Sequence, residues 1–106
     1  MTETIFRRLA LALTGAEEKS HLGKADFRVK NKIFATLIDA ETGVVKLAPE
    51  QQEMMVDAEP DIFNPIRGGW GRQGWTRVIL ANADEATLKS ALQTAWRNVA
   101  PKTLKT

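Results

Sequence analysis

The sequence predicts an α+β fold: a two-layer sandwich in which an antiparallel sheet of about five strands is backed by three helices, in the order helix, β-meander, helix, loop, strand, helix. Three observations carry this. Segments near both ends repeat apolar residues at helical spacing, the segment from Glu17 onward alternates with a period of two, and glycines, prolines and asparagine fall between the periodic stretches. With 106 residues, 43% hydrophobic and 26% charged, the composition is that of one globular domain across 1–106, with one core and no linker or repeat.

Taken in order, Thr4 is the expected cap of a first helix whose apolar stripe is Ile5, Leu9, Ala12 and Leu13, with Arg7 and Arg8 off the stripe and Gly15 as its C-terminal stop. Residues 26–30 alternate, with Phe27 and Val29 on one side and charges on the other, as in a half-buried strand. Asn31-Lys32 supplies a two-residue turn into a more buried strand over 33–38. A polar turn at 39–43 leads to a short strand at 44–47. Pro49 opens a second helix whose first turn holds Glu50 and Glu53 and whose apolar side holds Met54, Met55 and Ala58; Pro60 stops it. Residues 60–74 contain Pro60, Pro65 and four of the seven glycines without a period, and read as a long structured loop. A strand follows over 75–80. The last helix starts near Asp84, buries Leu88, Leu92, Ala95, Trp96 and Val99, and ends before Pro101.

Several function classes are excluded or weakened by residue type. There is no cysteine, so no disulfide, thiolate metal site or cysteine nucleophile exists, which suits a reducing compartment. His21 is the only histidine. Ser20 beside it does not make a nucleophile–base pair, because neighbouring strand residues point to opposite faces. No catalytic residue, metal or cofactor is therefore expected. Arg7-Arg8 before residues 9–13 and Thr14-Gly15-Ala16 mimics an export signal, but the same residues form an amphipathic helix, and no stretch reaches the roughly 20 apolar residues that span a bilayer. The expectation is a cytoplasmic protein with no membrane contact.

Charge is distributed unevenly. Residues 1–61 hold 8 basic and 11 acidic side chains, giving −3, whereas residues 62–106 hold 7 basic and 2 acidic, giving +5. Between Asp61 and Asp84 the only charges are Arg67, Arg72 and Arg77; beyond Glu85 they are Lys89, Arg97, Lys102 and Lys105. Within 67–77 lie two of the three tryptophans, three of the seven arginines and four glycines. Glycine lets a backbone approach a partner closely, tryptophan offers a stacking surface, and arginine offers paired donors to phosphate. Trp75, flanked by glycine in a small domain, is expected to anchor the loop in the core; Trp70 stays open between the two roles.

Several segments together resemble the MmcQ/YjbR-like family over nearly the whole chain: Glu18 to Val29 with Lys24 and Arg28, Lys32 to Leu37, Lys46-Leu47, Gly69-Trp70-Gly71-Arg72-Gln73-Gly74-Trp75-Thr76-Arg77-Val78, and Ala95-Trp96-Arg97 with Ala100-Pro101-Lys102. Leu22 departs from it, standing where an aromatic is expected between histidine and glycine. The resemblance implies a compact α+β fold related in topology to secretion-chaperone-like and double-wing domains, and a DNA-binding role. It brings no catalytic residues. It marks Lys24, Arg28, Trp70, Arg72 and Arg77 as contact candidates.

The functional expectation is a non-enzymatic nucleic-acid-binding domain that uses an exposed sheet face and the loop 67–77. Its contact set is Lys24, Arg28, Lys30, Arg67, Trp70, Arg72 and Arg77, with Trp70 stacking or wedging while the cations neutralise phosphates. The alternative is an adaptor that binds a protein partner, a small ligand or a second copy of itself on the same face.

Overall fold

The computed structural model describes residues 1–104, with His21 described only by its backbone; Lys105 lies outside the described residues. The first helix, α1 (Glu3–Leu11), starts from Thr2, whose hydroxyl accepts the N–H of Ile5 at 3.3 Å, two residues before the expected cap. Its buried stripe is Phe6, Leu9 and Ala10, continued by Leu13, while Ala12 is exposed. The observed and expected stripes share Leu9 and Leu13; Phe6 and Ala10 stand where Ile5 and Ala12 were expected, and Ile5 is half-buried against the core. The phenyl ring of Phe6 decides between them, because it buries far more area than the methyl of Ala12. The helix ends at Leu11, and Gly15, at φ +71°, turns the chain into the sheet.

Strands β1 (Ala16–His21), β2 (Lys24–Val29) and β3 (Lys32–Leu37) form a meander joined by two tight turns. Both turns place two residues at positive φ: Leu22-Gly23 at +53° and +78°, and Lys30-Asn31 at +50° and +65°. The second turn lies one residue upstream of the expected Asn31-Lys32, which leaves Lys32 free to pair with Val29. The β2–β3 register shifts between Phe27 and Arg28, pairing Phe27 with Ala35 but Arg28 with Ile33, so Phe34 is an extra residue on β3. This bulge lets adjacent Phe34 and Ala35 both reach the core.

After β4 (Thr42–Lys46), α2 (Pro49–Ala58) begins at the proline, as expected. The stretch read as loop contains a short edge strand, β5 (Phe63–Pro65), and a single helical turn, α3 (Gly69–Arg72). The sheet therefore has six strands rather than five, in the order β1-β2-β3-β4-β6-β5, with every neighbour antiparallel and β6 (Trp75–Ile79) between β4 and β5. A three-residue strand that ends in proline has no readable period, and proline is tolerated there because the strand lies at the sheet edge.

The chain closes with α4 (Glu85–Val99), whose buried stripe of Leu88, Ala91, Leu92, Ala95 and Trp96 packs over β3 and β4 beside α1. Trp96 is 2% exposed and donates its indole N–H to the Thr14 carbonyl at 2.9 Å, so the largest core side chain is satisfied and ties α4 to the end of α1. Helices α1, α2 and α4 lie on one side of the sheet. The core between the layers is built on Phe6, Phe27, Phe34, Leu47, Leu80, Leu88 and Leu92. No helix among the described residues is long and apolar enough to cross a membrane.

The start of α4 has a checkable pH dependence. Asp84 caps it, accepting the Thr87 backbone N–H at 2.7 Å, and this bond, with a further one from the Thr87 side chain, holds the carboxyl below its ordinary value. A folded-state pKa lower than the unfolded one contributes stability that is complete above the unfolded value near 3.9 and is lost as pH falls through the folded value. Asp84→Ala is expected to lower the Tm by a few degrees at neutral pH, and the gap from the parent protein should close on acidification below about pH 4.

Candidate nucleic-acid interface

Strand alternation sorts the site residues between the two faces of the sheet. On β6, Thr76 and Val78 point into the core, which leaves Trp75 and Arg77 on the face away from the helices; on β4, Val44 and Lys46 share that face. Trp75 is thus not the core anchor expected of it; Trp96 is the buried tryptophan. Thr76 occupies the inward position instead, fully buried, donating its hydroxyl to the Gly74 carbonyl at 2.9 Å and accepting the Gln52 amide at 3.1 Å.

The two exposed-segment indoles meet edge to face. Their centroids lie 6.2 Å apart at 70°, and Trp70, on α3, is 63% exposed. The Lys46 ammonium sits 5.3 Å from the Trp75 ring centroid and donates to the Gln73 carbonyl at 2.6 Å. Beside the indoles, Ile33, Thr36, Val44 and Ile66 complete a shallow depression of about 240 Å³. A second depression of about 240 Å³, reaching Leu22, Lys24 and Asp26, shares Ile33 and Thr36 with the first. One trough therefore crosses the open face, from Trp70 at one end to Leu22, 88% exposed, at the other.

The cations predicted from sequence are divided by this geometry. Lys24 lines the trough; Arg77 stands in mid-β6 opposite Val44 and Asn64; Arg67 and Arg72 flank Trp70 in the chain and are exposed. No ion pair among the described residues holds any of these four. Arg28 differs. Its Nε and Nη2 reach the two oxygens of Asp26 at 2.8 and 3.1 Å, and its Nη1 donates to Asn31 at 3.2 Å. The hydrogen bond to Asp26, only 3% exposed, raises the guanidinium pKa above its ordinary value, so Arg28 stays charged but its charge is already matched. Lys30 is exposed in the β2–β3 turn and does not line the trough.

The glycines of the segment serve the chain itself. A β-carbon on Gly71 would overlap the Ile66 carbonyl, and one on Gly74, at φ +105°, would overlap the Leu47 carbonyl. The Gln52 side-chain amide Nε2 donates a hydrogen bond to the Gly71 carbonyl at 3.0 Å. The backbone carrying Trp70 is clamped from both sides. Sequence reasoning missed Lys46, Val44, Ile33, Thr36 and Ile66, which become site residues only because β4 and β6 pair and the segment before α3 folds onto that pair. Alternation within each strand was the one available signal.

A family model described as YjbR matches residues 11–98. The chain belongs to the YjbR family. Among solved structures, this YjbR protein is similar to the Deinococcus radiodurans protein DR2400, which carries the DUF419 domain. The TM-score is 0.80 at 20% sequence identity, covering 98% of this chain and 82% of that one, a likeness of fold. No curated protein matches.

Proposed function

We propose that this YjbR-family chain is a non-enzymatic, cytoplasmic nucleic-acid-binding domain that works through the open sheet face and the segment 67–77. The observation that carries the reading is an exposed tryptophan on a clamped support beside cations without acidic partners: Trp70 and Trp75 with Lys46, Arg72 and Arg77. Aromatic faces next to phosphate-binding cations are what a polyanion with planar bases requires. Arg28 is a weaker member of the set than its sequence position suggests, since engaging a phosphate would compete with Asp26.

Binding of labelled oligonucleotides at two salt concentrations tests this. Three or four neutralised phosphates give a slope of log affinity against log salt of roughly −3. Absence of binding at about tens of micromolar protein in low salt would remove this reading.

The apolar run of the trough between Leu22 and Trp70 favours a second reading: an adaptor that takes a protein partner, a small ligand or a second copy on this face. Light scattering that shows a concentration-dependent dimer, abolished by Trp70→Glu, would select it.

A further inference from the structure

We infer that the corner between Trp70 and Trp75 receives one unpaired nucleobase, and that the chain consequently prefers single-stranded over duplex nucleic acid. The inference rests on the nucleic-acid reading above and narrows it.

The depression is small. At about 240 Å³ it falls below the roughly 300–1,000 Å³ of pockets that enclose drug-sized ligands, and its walls are aliphatic and indole surface. A flat heterocycle suits that size and polarity, whereas a whole nucleotide cofactor does not. The geometry favours a ring. Indoles at 70° to one another form a corner in which an incoming base can lie on one π-face while the other indole meets its edge. The Lys46 ammonium already rests against Trp75, so Trp70 is the freer platform, and Lys46 stands where it can meet the phosphate attached to the base.

Trp70 is also presented in a way that the fold does not need. It contributes no buried core surface, yet Gly71 is pressed against Ile66 and its carbonyl is held by Gln52. A platform fixed before the ligand arrives spares the ligand the entropy of ordering it. Beyond the corner, the trough crosses from β6 over β4 and β3 to β2, three strand spacings or roughly 14 Å. That gives a short strand somewhere to run, with Lys24 near its far end. In a duplex the bases are stacked and paired inside, so none reaches the corner unless it is flipped out.

Fluorescence anisotropy with three labelled probes of equal charge tests the inference: oligo(dT), an abasic strand of the same length, and a hairpin duplex, each against the parent protein and Trp70→Ala. Because Trp70 is exposed, the variant should fold, and circular dichroism checks this. Expected are tighter binding of oligo(dT) than of either other probe, a loss of about five- to a hundredfold for oligo(dT) with Trp70→Ala, and little change for the abasic strand. Recovery of most of the affinity in Trp70→Phe would mark the contact as stacking. If the duplex or the abasic strand binds as well as oligo(dT), or Trp70→Ala leaves oligo(dT) unaffected, the base corner is overturned while the polyanion surface stands. If no probe binds at low salt, both readings fall.

Discussion

Replacing Gly74 by alanine is expected to destabilise the protein by roughly 2–5 kcal/mol, combining about 1–3 for forcing atoms into a packed site with about 1–2 for left-handed backbone on an L-residue. The added methyl would run into the Leu47 carbonyl, and the Gly74 backbone is not free to withdraw. Its carbonyl accepts the Leu47 N–H at 3.0 Å and the Thr76 hydroxyl at 2.9 Å, so a shift of either segment breaks bonds in the β4–β6 region. Against a total of about 5–15 kcal/mol, that loss removes much of the stability of a small domain. Gly69→Ala is the internal contrast: its β-carbon would meet only the far end of Arg72 at 3.9 Å, and it begins a helical turn. It should be neutral or stabilising by up to about 1 kcal/mol. Urea denaturation of both variants measures the difference, and a Gly74→Ala protein that unfolds at the parent midpoint would refute the packing account.

Neutralising Arg72 and Arg77 together should weaken oligonucleotide binding on the order of a hundredfold at about 50 mM salt and make the salt slope shallower by about 1.4 for a single strand or about 1.8 for a duplex, the amount due to two phosphate contacts. Asp26→Asn should act in the opposite direction. It removes the acid that engages Arg28 and releases a cation onto the same face, steepening the slope by about 0.7 for a single strand or about 0.9 for a duplex and raising affinity by roughly tenfold at the same salt. Opposite signs from changes at two ends of one face are hard to obtain from nonspecific effects. Equal affinities for the parent, Arg72→Gln/Arg77→Gln and Asp26→Asn would mean that the polyanion does not touch this face.

What the sequence made legible follows from local physics. The Phe27–Val29 alternation, the turn residues around Asn31, Pro49 at a helix start and Asp84 at another act through the dihedral and hydrogen-bond preferences of neighbouring residues, and each lies within a residue or so of where it was expected. The rotation of α1 is not legible in the sequence because Ile5 and Phe6 both lie about one helical turn from Leu9 and only the packed partner distinguishes them. That partner is Gly43, where a β-carbon would overlap the Phe6 ring, together with the Phe27 ring at 5.7 Å.

The candidate site was half legible. Residues 67–77 stood out by type, and Trp70, Arg72 and Arg77 do lie on accessible surface. Whether Trp75 faces inward or outward is set by its register, because a shift of one residue exchanges the faces of an entire strand. The insertion of β6 between β4 and β5 settles that register, brings Lys46 onto Trp75 and places the segment before α3 beside Val44. The bond between Asp26 and Arg28 is likewise a matter of which face the two share and how deeply the carboxylate is buried. Alone, the amino-acid order determined the three long helices, the main strands, their turns to within a residue or so and the excess of positive charge in residues 62–106, but not β5 or α3. Tertiary structure decided which side chains meet, because pairing between segments distant in the chain depends on cooperative register and packing that no short window of residues encodes.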